Sequence, residues 1–206
     1  MFGERLTIAR IERALRARPP GEGAAGLLAR LPGVRRAAVA VVLREPPGGE
    51  AEVLLIRRTE RPGDPWAGQI ALPGGRLEPA DGGSARAAAV REVREEVGLD
   101  LGAGGRWLGR LAPAQAMARG RPLPLVIFPQ VFGLGEPLLP LAPHPAEVAR
   151  VLWVPLGALA SGEHDDTIRW RPAGLPAGLD LRCWRWQGEV IWGLTYRMLR
   201  SLLALL

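Results

Sequence analysis

Arg91-Glu92-Val93-Arg94-Glu95-Glu96-Val97-Gly98-Leu99 puts three carboxylates within about one helical turn and then meets a glycine. Glu92, Glu95 and Glu96 stand at i, i+3 and i+4, positions that share one face of an α-helix. Like charges at this spacing repel, so a folded chain normally spreads them out or pairs them. A hard cation on that face resolves the conflict. Magnesium suits it, because it takes few carboxylates and keeps waters for a phosphate substrate.

The residues upstream build a frame for this stretch. Gln69-Ile70-Ala71-Leu72 is an apolar run closed by Pro73-Gly74-Gly75. Glu78, Asp81, Gly82 and Gly83 then read as a loop. Ser84 is a fitting N-cap for a helix over 85–97, whose Ala87-Ala88-Ala89 centre has high helix propensity. Gly98 suits the left-handed position that ends a helix. The unit is a strand end, a glycine-rich loop and a carboxylate-bearing helix.

This arrangement resembles the Nudix box, whose second half reads Arg-Glu-U-x-Glu-Glu-x-Gly-U with U aliphatic. Arg91, Glu92, Val93, Glu95, Glu96, Gly98 and Leu99 match it at every specified position. The first half departs in spacing. Counting back from Arg91, the pattern's first Glu falls on Gly83 and its Gly on Leu77. Gly74-Gly75 is present, but the loop to the helix is longer than the pattern. Asp81 or Glu78 stands in for the missing Glu, or nothing does.

The flanks resemble one branch of that family, the coenzyme A pyrophosphatases. Leu54, Leu55, Arg58, Gly68 and Pro73-Gly74-Gly75 agree with its upstream motif. Ile56 replaces a Thr, Leu72 replaces a Phe, and a middle Arg, here Arg61, is displaced. Pro145-Ala146-Glu147-Val148, Trp153-Val154-Pro155-Leu156 and Ile191-Trp192-Gly193-Leu194-Thr195 also resemble it.

The resemblance implies an α/β chain folded as a Nudix-type α/β/α sandwich with a mixed β-sheet. It further implies a pyrophosphatase for a nucleoside diphosphate linked to another moiety, with Mg²⁺ or Mn²⁺ as cofactor. Glu92 and Glu96 would be the principal metal ligands, and Glu95 would ligate or support. Arg91 would pair with Glu95 and hold the helix face. The general base would be a box Glu or a Glu from a later loop, for which Glu147 is the candidate. Arg58 and Arg57 would bind phosphate oxygens, with Gln69, Gly74 and Gly75 beside them. The expected substrate is coenzyme A or a derivative, cleaved to 3′,5′-ADP and 4′-phosphopantetheine. The alternatives are an ADP-ribose or nucleotide-sugar pyrophosphatase, or a nucleotide-binding module that has lost catalysis. Intact Glu92, Glu95 and Glu96 argue against the module.

Composition bounds the rest. With 206 residues and 48% hydrophobic content the chain can bury a core. We expect one domain over 1–206, with terminal helices at 5–18 and 193–206 as appendages. No apolar run has the length of a membrane span. Met1-Phe2-Gly3-Glu4-Arg5 lacks the apolar stretch of a signal peptide. The single cysteine, Cys183, permits no internal disulfide. These features lead us to expect a cytoplasmic protein. The net charge of +6 is carried by arginine alone. It fits an arginine-rich coding bias or a surface that attracts polyphosphates. No helix shows a basic recognition stripe, which argues against nucleic acid as partner.

Periodicity predicts a helix over 6–18, a Pro/Gly loop over 19–26, and an antiparallel strand pair at 36–44 and 52–58. A loop with Pro62-Gly63-Asp64-Pro65-Trp66 leads to the strand ending at Leu72. Further strands are expected at 106–111, 125–134 and 148–154, a short helix at 156–159 and a late hairpin of 167–170 with 183–186. The apolar helix 193–206 is available to the core or to a homodimer interface. His144 and His164 are candidate acids or bases, and Trp66 a candidate stacking or lid residue. Cys183, with Trp184 and Trp186 beside it in sequence, reads as buried packing rather than a nucleophile.

Overall fold

The Ala-Val-Ala-Val-Val-Leu run is buried on both sides, as expected of a central strand with a parallel neighbour. The computed structural model describes residues 5–64, 66–118, 120–135, 140–171 and 177–206. Met1 to Glu4 and Pro65 of the predicted loop lie outside them. In chain order the first elements are α1 (Ile8–Ala17), α2 (Gly23–Leu28), β1 (Arg35–Arg44), β2 (Glu52–Arg58), β3 (Ile70–Ala71) and β4 (Gly74–Arg76). A 3₁₀ turn at Pro79–Asp81 precedes α3 (Ala85–Val97), α4 (Leu101–Gly104), β5 (Gly105–Arg110), β6 (Ala114–Ala118) and β7 (Arg121–Leu134). β8 (Val148–Pro155), α5 (Leu156–Ala160), β9 (Asp165–Trp170), β10 (Leu179–Trp186), β11 (Glu189–Ile191) and α6 (Gly193–Leu203) complete the described chain.

The main sheet runs β3-β2-β1-β7-β5, with β4 beside β1, β6 beside β7 and β8 beside β2. The β1–β7 pair is parallel and the other pairs are antiparallel, so the sheet is mixed. Alternation along the central strands sends side chains to two faces. Ala38, Ala40, Val42, Leu54 and Ile56 pack with Ala88, Ala89, Val93 and Val97 of α3. Alanines on both partners let α3 lie close to the sheet. Val39, Val41, Leu43, Val53 and Leu55 pack on the other face with Ile11 and Leu15 of α1 and Met198, Leu199 and Leu202 of α6. The result is the helix–sheet–helix sandwich.

Several boundaries differ from the sequence reading. α2 occupies part of the predicted 19–26 loop. β7 begins at Arg121 and runs through Pro122, Pro124 and Pro129, which punctuate the sequence without ending the strand. The Pro-Gly-Gly turn becomes β4, because Gly74 and Gly75 pair with Val39 and Ala38. The late hairpin gains β11 and forms a separate sheet in the order β11-β10-β9. Among the described residues no helix is long and apolar enough to cross a membrane.

Candidate active site

The helix forms where the caps place it. Ser84 Oγ accepts the Ala87 N–H at 3.2 Å. At the other end Gly98 adopts φ 71° and donates to the Arg94 carbonyl. With Ala88, Ala89, Val93 and Val97 buried against the sheet, Glu92 and Glu96 are directed at β4. Gly74 there has φ 153°. A Cβ on it would lie 2.6 Å from Val39 Cα and overlap the Ala38 carbonyl. Its N–H donates to Glu96 Oε2 at 2.8 Å. Gly75 faces Glu92 so closely that a Cβ would overlap the carboxylate. Gly74→Ala should therefore lower stability by about 1–3 kcal/mol, read as a fall in Tm. An unchanged Tm would show that the turn relaxes freely.

Glu96 is 2% exposed. Burial pushes its carboxyl up to about 8. The Gly74 N–H pulls the other way, Glu92 and Glu147 add repulsion, and Arg58 offsets part of it. Glu92 is also raised, first by burial, against the pull of Arg91. Glu95 and Glu147 push it further up. The Glu147 loop is pinned to the end of α3: the His144 N–H donates to the Glu96 carbonyl and the Ala142 N–H to that of Val97, both at 2.8 Å. The Thr59 N–H, just past β2, donates to the Glu147 carbonyl at 3.0 Å. Glu147 itself is exposed, with Arg61 Nη2 3.9 Å from its carboxylate.

Arg91 organises the acids around it. Its Nε and Nη2 donate to the two Asp81 oxygens at 3.1 and 3.2 Å. Its Nη1 reaches Glu92 at 3.0 Å and Glu95 at 2.8 Å. Nη2 also donates to the Arg76 carbonyl at 2.9 Å, and Glu78 lies 3.9 Å from Nη1. The Asp81 side chain is 4% exposed, and Arg91 holds its carboxyl below the usual range. The Glu78 N–H also donates to Asp81, at 2.7 Å. Asp81 therefore makes the buried pairing with Arg91 in the irregular loop, and Glu78 stands at its rim. The sequence left these two open, because their spacing from Arg91 has no fixed meaning until the loop is folded. Glu95 is largely exposed and bound to Arg91.

Arg58 and Arg57 diverge at the end of β2. Arg58 follows Leu54 and Ile56 toward the α3 side, where it acts on Glu96 and pairs with Asp64 at 2.7 Å. Arg57 turns to the other face and meets Glu189 at 3.4 Å. Gln69 lies in the cleft on that side, while its carbonyl accepts the Arg58 N–H at 3.0 Å. The structure thus brings Glu92, Glu96, Glu147, Arg58, Gly74 and Gly75 together and sets Arg57 and Gln69 beyond the strand. His144 lies in the pinned loop, His164 packs edge-on to Trp186, and Cys183 is buried. A hollow of about 800 Å³ on the outer flank of α3 includes Arg91 and Glu95 but neither Glu92 nor Glu96.

Among the described residues no three Asp, Glu, His or Cys side chains already form a metal cage. The donor chemistry nevertheless fits a hard divalent cation. Glu92 and Glu96 are oxygen donors on adjacent turns of one helix face, both raised first by burial, Glu92 further by the charges of Glu95 and Glu147 and Glu96 by those of Glu92 and Glu147.

Comparison with known proteins agrees with this architecture. The model of the NUDIX domain family matches residues 34–173. An uncharacterized Nudix hydrolase, NudL, of Photorhabdus laumondii subsp. laumondii is 34% identical over 154 residues, covering 72% of this chain and 74% of that protein. NudL of Yersinia pestis is 32% identical over 168 residues, covering 82% and 78%. The structure of a NUDIX hydrolase from Alicyclobacillus acidocaldarius shares the fold with a TM-score of 0.54 at 19% identity, over 83% of this chain and 91% of that one. A C. elegans Ap4A hydrolase binary complex does so with a TM-score of 0.53 at 18% identity, over 83% and 96%. The family match spans both flanks of the acidic helix as well as the helix itself, and with the NudL likeness it shows that this chain belongs to the Nudix family and is a Nudix hydrolase, a pyrophosphohydrolase.

Proposed function

We propose that this enzyme hydrolyses the diphosphate linkage of coenzyme A or a derivative, giving 3′,5′-ADP and 4′-phosphopantetheine. The observation that carries the catalytic part is the Glu92–Glu96 pair, Glu96 buried and Glu92 half-buried, both raised first by burial and fixed against Gly74 and Gly75. Coenzyme A as substrate is supported by the flanking residues Leu54, Leu55, Arg58, Gly68 and Pro73 to Gly75, together with the Glu147 and Trp192 stretches that resemble the same branch.

Glu92 and Glu96 would hold Mg²⁺ or Mn²⁺, with Glu95 as support. The bound ion supplies neutralisation of diphosphate charge and acidification of water. The protein's own groups do the remainder. The Gly74 N–H keeps one Glu96 oxygen fixed. Arg91 holds Glu92 and Glu95 by their oxygens, and Asp81 keeps Arg91 in place. Arg58 presents a guanidinium on the side of Glu96, where its fork suits phosphate oxygens. Glu147, exposed and held by backbone bonds beside the end of α3, would accept a proton from the attacking water, a role that a box Glu would fill otherwise. Water then adds to one phosphorus, and the bridging P–O bond breaks to leave two phosphomonoesters.

A substrate panel with Mg²⁺ or Mn²⁺, with products identified by mass, tests this reading. We expect coenzyme A to yield the two named products with kcat/KM at least about tenfold above that for ADP-ribose, or about 1.4 kcal/mol in barrier. Cleavage of ADP-ribose or a nucleotide sugar without cleavage of coenzyme A would overturn the substrate. Tight nucleotide binding with no turnover would mark a retired binding module.

A further inference from the structure

On the face of the sheet away from α3, a cleft of about 260 Å³ opens between β3 and β11. Arg57, Glu60, Gln69, Glu189 and Trp192 are among the residues that line it. Arg57 stands directly opposite Arg150 in the β2–β8 ladder. Like charges in directly opposed cross-strand positions repel, so this pair calls for an anion. Glu189 supplies one only in part. Both guanidiniums reach the same oxygen, Glu189 Oε1, each at the long distance of 3.4 Å. The Arg57 and Arg150 side chains remain 44% and 50% exposed. Arg150 stands beside the cleft lining through this shared oxygen, and two forks with five donors each on one carboxylate oxygen retain N–H donors for a second anion.

The cleft also has an aromatic wall. Trp192 is half-buried and braced by Trp170, with ring centroids 5.9 Å apart. Such an indole offers a flat face on which a heterocycle can stack. The Glu60 and Glu189 carboxylates accept hydrogen bonds, as an exocyclic amine requires.

Position ties the cleft to the reaction. Arg57 and Arg58 are consecutive and point to opposite faces at the end of β2. The β8 strand carries one extra residue at this point, between Val148 and Arg150. Such bulges redirect side chains. Glu147 immediately precedes β8, and Glu60 lies just past β2. A substrate lying across these strand ends would meet the acidic face on one side and the cleft on the other.

We infer that this cleft anchors the phosphorylated nucleoside half of the substrate, with Arg57 and Arg150 taking a ribose 3′-phosphate and Trp192 packing on the base. The inference rests on the coenzyme A reading for the identity of the ligand. Binding without turnover separates the two. Calorimetry on the metal-free full chain, with 3′,5′-ADP and 5′-AMP as probes, reads the cleft alone. Wild type should bind 3′,5′-ADP at least about tenfold more tightly than AMP, as expected for a paired-arginine phosphate contact. Arg150→Ala should bring that ratio toward one and leave the AMP affinity unchanged. Arg150→Gln, which retains the length of the stem, should do the same. Trp192→Ala should weaken both probes alike and keep the ratio. A wild-type ratio near one, or a ratio that survives both Arg150 variants, overturns the proposal even where coenzyme A is cleaved. A ratio lost in both Arg150 variants supports the cleft even where coenzyme A is not cleaved, and only the substrate reading then fails.

Discussion

Glu96→Gln should lower kcat by about three orders of magnitude, a barrier increase of about 4 kcal/mol, while the protein remains folded. The amide is isosteric, and its oxygen can still accept the Gly74 N–H. What it loses is the charge needed to hold a divalent cation. In the metal-free protein the substitution should leave stability unchanged or raise it, because a buried carboxylate surrounded by like charges is costly. The pH dependence gives the sign. The folded carboxyl titrates at about 8 against an ordinary value of 4.5. The raised value contributes stability that is fully present below about 4.5 and is lost as pH rises through about 8. Metal-free wild type should therefore fall in Tm relative to Glu96→Gln between pH 5 and pH 9, and Mg²⁺ should restore it by binding the native state. Parallel Tm profiles for the two proteins would refute the buried-charge account, and retained turnover would refute the ligand assignment.

Arg91→Ala should give the largest loss of stability, about 3 kcal/mol. It removes the cation that serves Asp81, Glu92 and Glu95 and leaves Asp81 as a charge 4% exposed. The figure is at the low end for a broken buried pair because Arg91 itself is 20% exposed. Turnover should fall as well, since Glu92 loses its 3.0 Å contact and with it a fixed orientation. A double-mutant cycle isolates the clamp. Removing Asp81 from the Arg91→Ala protein should cost much less than removing it from wild type, because its partner is already gone. Additive losses would mean that Asp81 and Arg91 act independently. The Asp81 carboxyl is depressed in the folded state, so its contribution is present above its ordinary value of 3.8 and lost as pH falls through the folded value.

The helix was legible in the sequence because its signals are local. Ser84, the alanine run and Gly98 fix both ends by capping and propensity, and both ends lie where those residues place them. The antiparallel β1–β2 pair was legible for the same reason, from apolar runs bounded by a Pro-Pro-Gly-Gly loop. β6, α2 and the proline-containing start of β7 were not. β6 and the start of β7 form because they pair with each other, α2 is a short Gly-containing helix, and Pro and Gly look like breaks until tertiary neighbours are known. Within the site, the i and i+4 relation of Glu92 and Glu96 follows from helix geometry alone. The opposite directions of Arg57 and Arg58 follow from strand alternation, but only once the face of β2 that meets α3 is known. Glu189 and Arg150 gave no site signal, because β11 belongs to a second sheet whose approach to β3 is not written in local sequence.

The central claim is that Glu92 and Glu96 together hold a divalent cation. Titrating Mn²⁺ into the metal-free protein at pH 9, where Glu96 is ionised, and following the loss of free-ion signal tests it directly. We predict saturable binding that weakens by at least about tenfold, or 1.4 kcal/mol, in both Glu92→Gln and Glu96→Gln, with a smaller change in Glu95→Gln. Equal Mn²⁺ affinity in wild type and Glu96→Gln would contradict the account.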